Sequence, residues 1–313
     1  MKRVLVFLNP VLLERKNRRG IVASIVALLR STGCEVETQE TLSAHSAGEQ
    51  ALDAISLGFD TFIVCGGDGT LFQVIQGAAG SNVAVGIIPF GTGNVVVQNM
   101  RLSRDPIAAT RALLKARPRD VSLGQIALNP VGHSSMRKWY FLIAGGMGVH
   151  AALMNLAPTG SGKRVGGRAA YFIGGVKLLM NYPVDPFQIE ITRTSGEVST
   201  AIVSEAIATH VPEINRWRPG GDLFAPSLRL AYVPQTGRLG LAHASFHAIV
   251  TRKSRGNSRL PYPQYADVTK VVCRPLANFK YESKLLIEAD GEVLGTSYAV
   301  ITAADKRVKL LWP

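Results

Sequence analysis

Along the first 120 residues the apolar positions change period repeatedly. Arg3–Leu8 carries an unbroken apolar run from Val4 and predicts a buried strand. Ile21–Arg30 predicts a helix with Ile21, Ile25, Leu28 and Leu29 on one face, stopped by Gly33. Glu35–Glu40 alternates like a half-buried strand, and Ser46–Leu57 places Ala47, Ala51 and Ile55 four apart, as a helix does. Thr61–Cys65 and Val83–Ile88 are short β-branched runs, each leading into a glycine-rich turn. Alternation of this kind calls for a mainly parallel, doubly wound sheet whose ligands sit beyond the carboxyl ends of its strands.

After Pro118 the pattern changes. Arg119–Leu128, Trp139–Ala144, Phe187–Arg193, Val198–Thr209 and Leu228–Tyr232 read as strands separated by turn residues, with one helix expected over Arg168–Met180. The expected organisation is therefore an α/β domain over residues 1–120, completed by 300–313, and an antiparallel β-sandwich over 121–299. Arg307–Leu311 is the strand expected to return to the first domain.

The 35 Lys+Arg against 22 Asp+Glu leave a net charge of +13, which favours an anionic partner: nucleic acid, an acidic membrane surface or a phosphorylated substrate. Basic residues gather at Arg15–Arg19, Arg111–Arg119 and Arg252–Arg255 without an RNA-binding aromatic signature, which argues against nucleic acid. Cys34, Cys65 and Cys273 are odd in number and far apart, as expected of buried thiols in a reducing, cytoplasmic setting. The apolar start is broken by Asn9-Pro10 and followed by charge, so it reads as a first strand and not as a signal peptide. The uncharged stretches 69–100 and 139–162 are too rich in Gly and Pro for a membrane span.

The chemistry concentrates in Cys65-Gly66-Gly67-Asp68-Gly69-Thr70 and Pro89-Phe90-Gly91-Thr92-Gly93-Asn94. A strand running through glycines into a helix N-terminus lets the backbone approach an anion and aims free N–H groups at it. Asp68 is placed to hold Mg²⁺ against a polyphosphate or to take a hydroxyl proton; the plainer reading is a tight turn with an Asx cap. Thr70 and Thr92 can cap helices or touch phosphate, and the Asn94 amide can read a nucleotide. Near the C-terminus, Leu285–Ala289 leads into Asp290-Gly291-Glu292, either a hairpin turn or a carboxylate pair suited to drawing a proton from an alcohol. A Walker A element is missing: Thr159–Arg164 lacks its first Gly and its Ser or Thr. The six His show no zinc-ligand spacing.

Taken together, Asn9-Pro10, Gly66–Thr70, Pro89–Asn94 and Asp290–Glu292 resemble the diacylglycerol kinase catalytic-domain family of bacterial lipid kinases and sphingosine and ceramide kinases. Ala144–Gly148 and Phe224-Ala225-Pro226 are weaker signposts. The resemblance implies an ATP-dependent kinase acting on a lipid alcohol such as diacylglycerol or a sphingoid base. ATP would lie between the domains against Gly66, Gly67, Asp68, Gly69, Thr70, Thr92, Gly93 and Asn94, with Asn9 and Thr41. It implies Glu292 as proton acceptor, Asp290 beside it, and Asp68 as the Mg²⁺ residue, although in sphingosine kinases the Gly-Asp-Gly aspartate is proposed as the base. Peripheral attachment to an anionic membrane fits the charge, and a homodimer is allowed for. Tyr171, Phe172 and Leu178–Met180 are candidates for an acyl groove.

The chain departs from the family pattern in several places. Val11–Glu14 replaces a small Ser-Gly pair, Val95 follows Asn94, and His150 stands where many members carry Asp. Val233–Leu239 has no carboxylate where bacterial members place a structural Mg²⁺ loop, so that ion is expected to be absent. A non-catalytic nucleotide or lipid binder on this scaffold is the rival reading. An NAD kinase, which shares Gly-Gly-Asp-Gly-Thr, would need an adjacent Asn-Glu pair that the chain lacks.

Overall fold

The structure is a computed structural model and describes residues 1–14, 17–42, 46–128, 136–156, 185–215, 217–250, 262–276, 285–296 and 298–313. The expected helix Arg168–Met180, its acyl-groove residues, the Thr159–Arg164 loop and the basic run Arg252–Arg255 lie outside the described residues. The chain forms two compact units, Met1–Leu123 with Asp305–Pro313, and Gly124–Ala304.

The first unit is built on parallel strands. β1 (Arg3–Leu8) pairs with β2 (Glu35–Glu40) on one side and β3 (Thr61–Gly66) on the other. β3 pairs with β4 (Ala84–Pro89), and β4 pairs in parallel with Lys309–Leu310 of β14 (Ala299–Trp312). β3 and β4 are buried along their whole length, as expected of strands covered on both faces. Phe7 and Phe62 meet edge to face at 5.3 Å, worth about 1 kcal/mol beyond simple burial.

Among the described residues, six helices accompany this sheet: α1 (Pro10–Leu13), α2 (Arg18–Arg30), α3 (Ala47–Ser56), α4 (Asp68–Ala78), α5 (Val95–Asn99) and α6 (Pro106–Lys115). α2 starts three residues before the expected Ile21 and buries Val22, Ile25 and Leu29, so its apolar face is rotated from the expected one.

The second unit is antiparallel, giving the α/β plus all-β class. Its strands are the end of β5 (Arg117–Leu128), β6 (Arg137–Phe141), β7 (Ala144–Gly148), β8 (Phe187–Arg193), β9 (Val198–Thr209), β10 (Leu228–Pro234), β11 (Gln264–Pro275), β12 (Leu286–Ala289), β13 (Glu292–Thr296) and the start of β14. β9 and β11 are long. Each pairs with β8 through one portion and with β10 through another.

Two expectations fail here for identifiable reasons. The single strand Trp139–Ala144 is two strands, because the N–H groups of Leu142 and Ile143 donate to the Asp290 carboxylate. The run of strands is also interrupted by α7 (Val149–Leu156) and α8 (Arg238–Val250), neither of which was expected. α7 is apolar apart from His150 and Asn155, and the polar residues of α8 are scattered round it, so neither shows a helical period; they bury Val149 and Ala152 with Leu241 and Ala244.

Candidate functional site

Asn9, Thr41, Gly66 and Phe90 follow or end β1, β2, β3 and β4, so the sequence-predicted residues of the first unit meet at the carboxyl end of its parallel sheet. The two glycine turns touch backbone to backbone. A Cβ on Gly91 would sit 2.8 Å from Gly67 Cα, and one on Gly67 would sit 3.3 Å from Gly91 Cα. Only glycines allow this approach. The Phe90 N–H donates to Gly66 O at 2.9 Å and ties the turns together.

Asp68, the first residue of α4, crosses to the second turn. Its Oδ2 accepts from the Val95 N–H at 3.0 Å and its Oδ1 from the Val96 N–H at 3.2 Å, so it caps α5. Burial pushes its carboxyl above the usual range, while amide donation from Val95, Val96, Asn94 and Asp68 itself opposes that rise. Gly93 leaves room here, since a Cβ there would lie 3.1 Å from Asp68 Oδ2.

Around this bridge, Asn9 Nδ2 donates to Thr70 Oγ1 at 3.2 Å, and Asn9 Oδ1 accepts from the Val11 N–H. Thr41 is buried and its N–H donates to Leu8 O. Asn94 is left-handed (φ 50°); its Nδ2 donates to Gly91 O at 2.8 Å, while its buried Oδ1 has no hydrogen-bond partner. Thr92 is exposed on the turn, and Gly69 lies in the first turn of α4. Sequence reasoning missed Arg18, which it counted only within a basic run: its guanidinium stands 4.8 Å above the Phe90 ring.

Among the residues of the two glycine turns, Asp68 is the carboxylate that a cation would find. No group of three or more His, Cys, Asp or Glu able to hold a metal occurs among the described residues. Asp68 alone suits Mg²⁺ shared with phosphate oxygens and water, the usual arrangement in phosphoryl-transfer sites, and does not suit an all-protein cage.

In the second unit, Asp290 and Gly291 form the two-residue turn between β12 and β13, with φ of 49° and 87°. Two consecutive positive φ values are the type I′ hairpin signature. The Asp290 carboxylate is spent on architecture: it accepts from the Leu142, Ile143 and Ala144 N–H groups at 2.8, 2.8 and 3.0 Å. Burial pushes it up to about 7 against those three donors. Glu292 leaves the turn at the start of β13 and is partly exposed.

Behind the turn lies a cluster that no sequence motif announced. Glu288 is 1% exposed; its Oε2 accepts from the Gly291 N–H at 2.9 Å, and its Oε1 lies 3.4 Å from His150 Nδ1. The His150 N–H in turn donates to both Glu205 carboxylate oxygens at 3.0 Å, so Glu205 of β9 caps α7. Burial pushes Glu205 up to about 7, against the pull of His150. Burial alone would lower His150, but the neighbouring Glu288, with the charge of Glu205, raises it overall. The available signal was an acid at an inward position of an apolar strand, in Val203-Ser204-Glu205-Ala206 and Leu286-Ile287-Glu288-Ala289.

Residues 3–126 match the family model described as the diacylglycerol kinase catalytic domain. The chain is 25% identical over 278 residues to the "Probable lipid kinase YegS-like" of Chromohalobacter salexigens, covering 87% of this chain and 82% of that one. It is 27% identical over 194 residues to a diacylglycerol kinase of Bacillus subtilis, covering 61% and 59%. A solved diacylglycerol kinase structure from Bacillus anthracis superposes with a TM-score of 0.67, covering 100% of this chain and 97% of that one; at 16% identity this speaks for the fold. The resemblance to the diacylglycerol kinase catalytic domain is thus borne out over residues 3–126.

Proposed function

We propose that the protein transfers the γ-phosphate of ATP to a hydroxyl of a lipid, such as diacylglycerol or a sphingoid base, at an anionic membrane surface. The observation that carries this reading is the backbone contact of the Gly67 and Gly91 turns with Asp68 joining them. Few functions other than holding a polyphosphate require two strand-end glycine turns at van der Waals contact.

In this reading the amides of the Gly66–Thr70 turn and the α4 N-terminus hold the nucleotide phosphates, with Thr92 and Gly93 on the facing turn. The unpaired Asn94 Oδ1 accepts from a nucleotide hydroxyl or a bound water. Arg18 adds a cation beside Phe90. Asp68 is the residue that would hold Mg²⁺, which when bound would neutralise charge developing on the transferred phosphoryl group. Glu292 accepts the proton of the lipid hydroxyl, and Asp290 fixes the turn that carries it. Basic loops draw the protein to anionic lipid, each well-placed side chain contributing up to about 1 kcal/mol. No described helix is long and apolar enough to cross a membrane.

The test is purified protein with radiolabelled ATP and mixed micelles of diacylglycerol, monoacylglycerol, sphingoid base and phosphatidylglycerol. Label in one of these lipids is the expected result. ATP binding by calorimetry with no lipid labelled would instead favour the non-catalytic binder, and phosphorylated NAD would mark an NAD kinase.

A further inference from the structure

The second unit packs three carboxylates, Glu205, Glu288 and Asp290, around one turn, and the basic side chain among them is His150. Their connections run in series. Glu205 on β9 accepts the His150 N–H and so starts α7. The His150 imidazole faces Glu288 on β12 at 3.4 Å, and Glu288 uses its other oxygen to hold the Gly291 N–H. Gly291 is the residue immediately before Glu292.

A carboxylate that is 1% exposed needs a partner for each oxygen, because an unpaired buried charge is strongly unfavourable. Gly291 satisfies Oε2, and Oε1 faces His150 Nδ1 at 3.4 Å, an ion-pair distance at which neither atom completes a hydrogen bond. The β12–β13 pairing slips in register between Ile287 and Glu288, so this stretch depends on these side-chain bonds as well as on its ladder.

We propose that His150 is a positioning residue: its imidazolium fixes Glu288, and Glu288 in turn fixes the Gly291 backbone from which Glu292 departs. The proposal rests on the reading of Glu292 as the proton acceptor. The ionisable groups that the elements packed on α7 carry are Glu205 on β9, Glu288 on β12 and Glu292 on β13, while β7 has none. α8 packs Leu241 and Ala244 on the same core and carries Arg238, His243 and His247, and β10, which supplies Val233, carries Arg229 and Tyr232.

The experiment uses the full-length protein with three variants, His150→Leu, His150→Gln and Glu288→Gln. NMR titration of the histidine ring protons should place His150 above the ordinary histidine range and move it down in Glu288→Gln. Amide exchange at Gly291 should quicken in His150→Leu. The kcat for lipid phosphorylation should fall about 10- to 100-fold with KM for ATP unchanged, the scale expected when a reacting group is slightly misplaced. His150→Gln, which keeps a donor toward Glu288, should recover part of kcat. If His150→Leu does not fold, the titration shift in Glu288→Gln and the Gly291 exchange and kcat of His150→Gln carry the test. Unchanged Gly291 exchange and kcat in folded His150→Leu, with active wild type, would overturn this inference alone. Wild-type protein that labels no lipid would overturn the kinase reading and this one with it.

Discussion

The Asp68 carboxylate, on the turn after β3, accepts the Val95 N–H at 3.0 Å and so starts the helix that follows the turn after β4. One side chain thereby ties two glycine motifs that lie about one β-α-β unit apart in the sequence. It also explains why a candidate metal ligand cannot be removed without a structural cost.

Asp68→Ala should therefore fail twice. Losing the cap on Val95 and Val96 should cost about 1–2 kcal/mol of stability, and phosphoryl transfer should disappear. Asp68→Asn keeps an acceptor for one amide and should recover most of the stability but little of the activity. Thermal melts paired with the lipid-labelling assay separate the two losses.

Gly91→Ala puts a methyl group 2.8 Å from Gly67 Cα, against backbone that has nowhere to go. ATP affinity should drop at least about tenfold by calorimetry, through a shift of the turns on the order of the 1 Å displacement that matters in active sites. Gly20→Ala is the control, since a Cβ there meets nothing within 4 Å; it should leave binding unchanged.

The Asp-Gly-Glu turn should split between architecture and chemistry. Asp290→Ala leaves the Leu142, Ile143 and Ala144 amides without their acceptor and should destabilise the protein by about 3 kcal/mol or more. Glu292→Gln should melt near wild type yet transfer almost no phosphate.

Stability should decline as the solution is made more basic. Glu205 and Asp290 are each raised to about 7 in the folded protein, so between their ordinary values near 4 and about 7 the native state keeps protons that the unfolded chain has released. Their contribution is complete at the acid end of that window and is lost as pH climbs through about 7. His150, also raised, loses its contribution in the same direction. Melting temperature should fall by several degrees between about pH 5 and pH 8, and less steeply in Glu205→Gln.

What was legible in the sequence was local. The strands β1 to β4 and the glycine turns announce themselves through runs of a few residues, and parallel pairing then gathers Asn9, Thr41, Gly66 and Phe90 at one end of the sheet without further information. Relationships across long separations were not legible. Nothing in Trp139–Ala144 indicates that its ladder is interrupted by Asp290, 148 residues from Leu142. α7 and α8 were hidden because their polar residues are few or scattered round the helix, so no polar face gives the helical period its contrast. His150 stood out as a departure, but only folding brings Glu205 and Glu288 to it and turns an oddity into a network.

The central claim, transfer of the ATP γ-phosphate to a lipid hydroxyl through Asp68 and Glu292, is tested most directly by single-turnover transfer. Enzyme in excess over radiolabelled ATP is mixed with lipid micelles for wild type, Asp68→Asn and Glu292→Gln. Wild type should move label into lipid within one turnover, while both variants bind ATP yet slow that step by about 100-fold or more. Transfer by either variant at the wild-type rate would contradict the account.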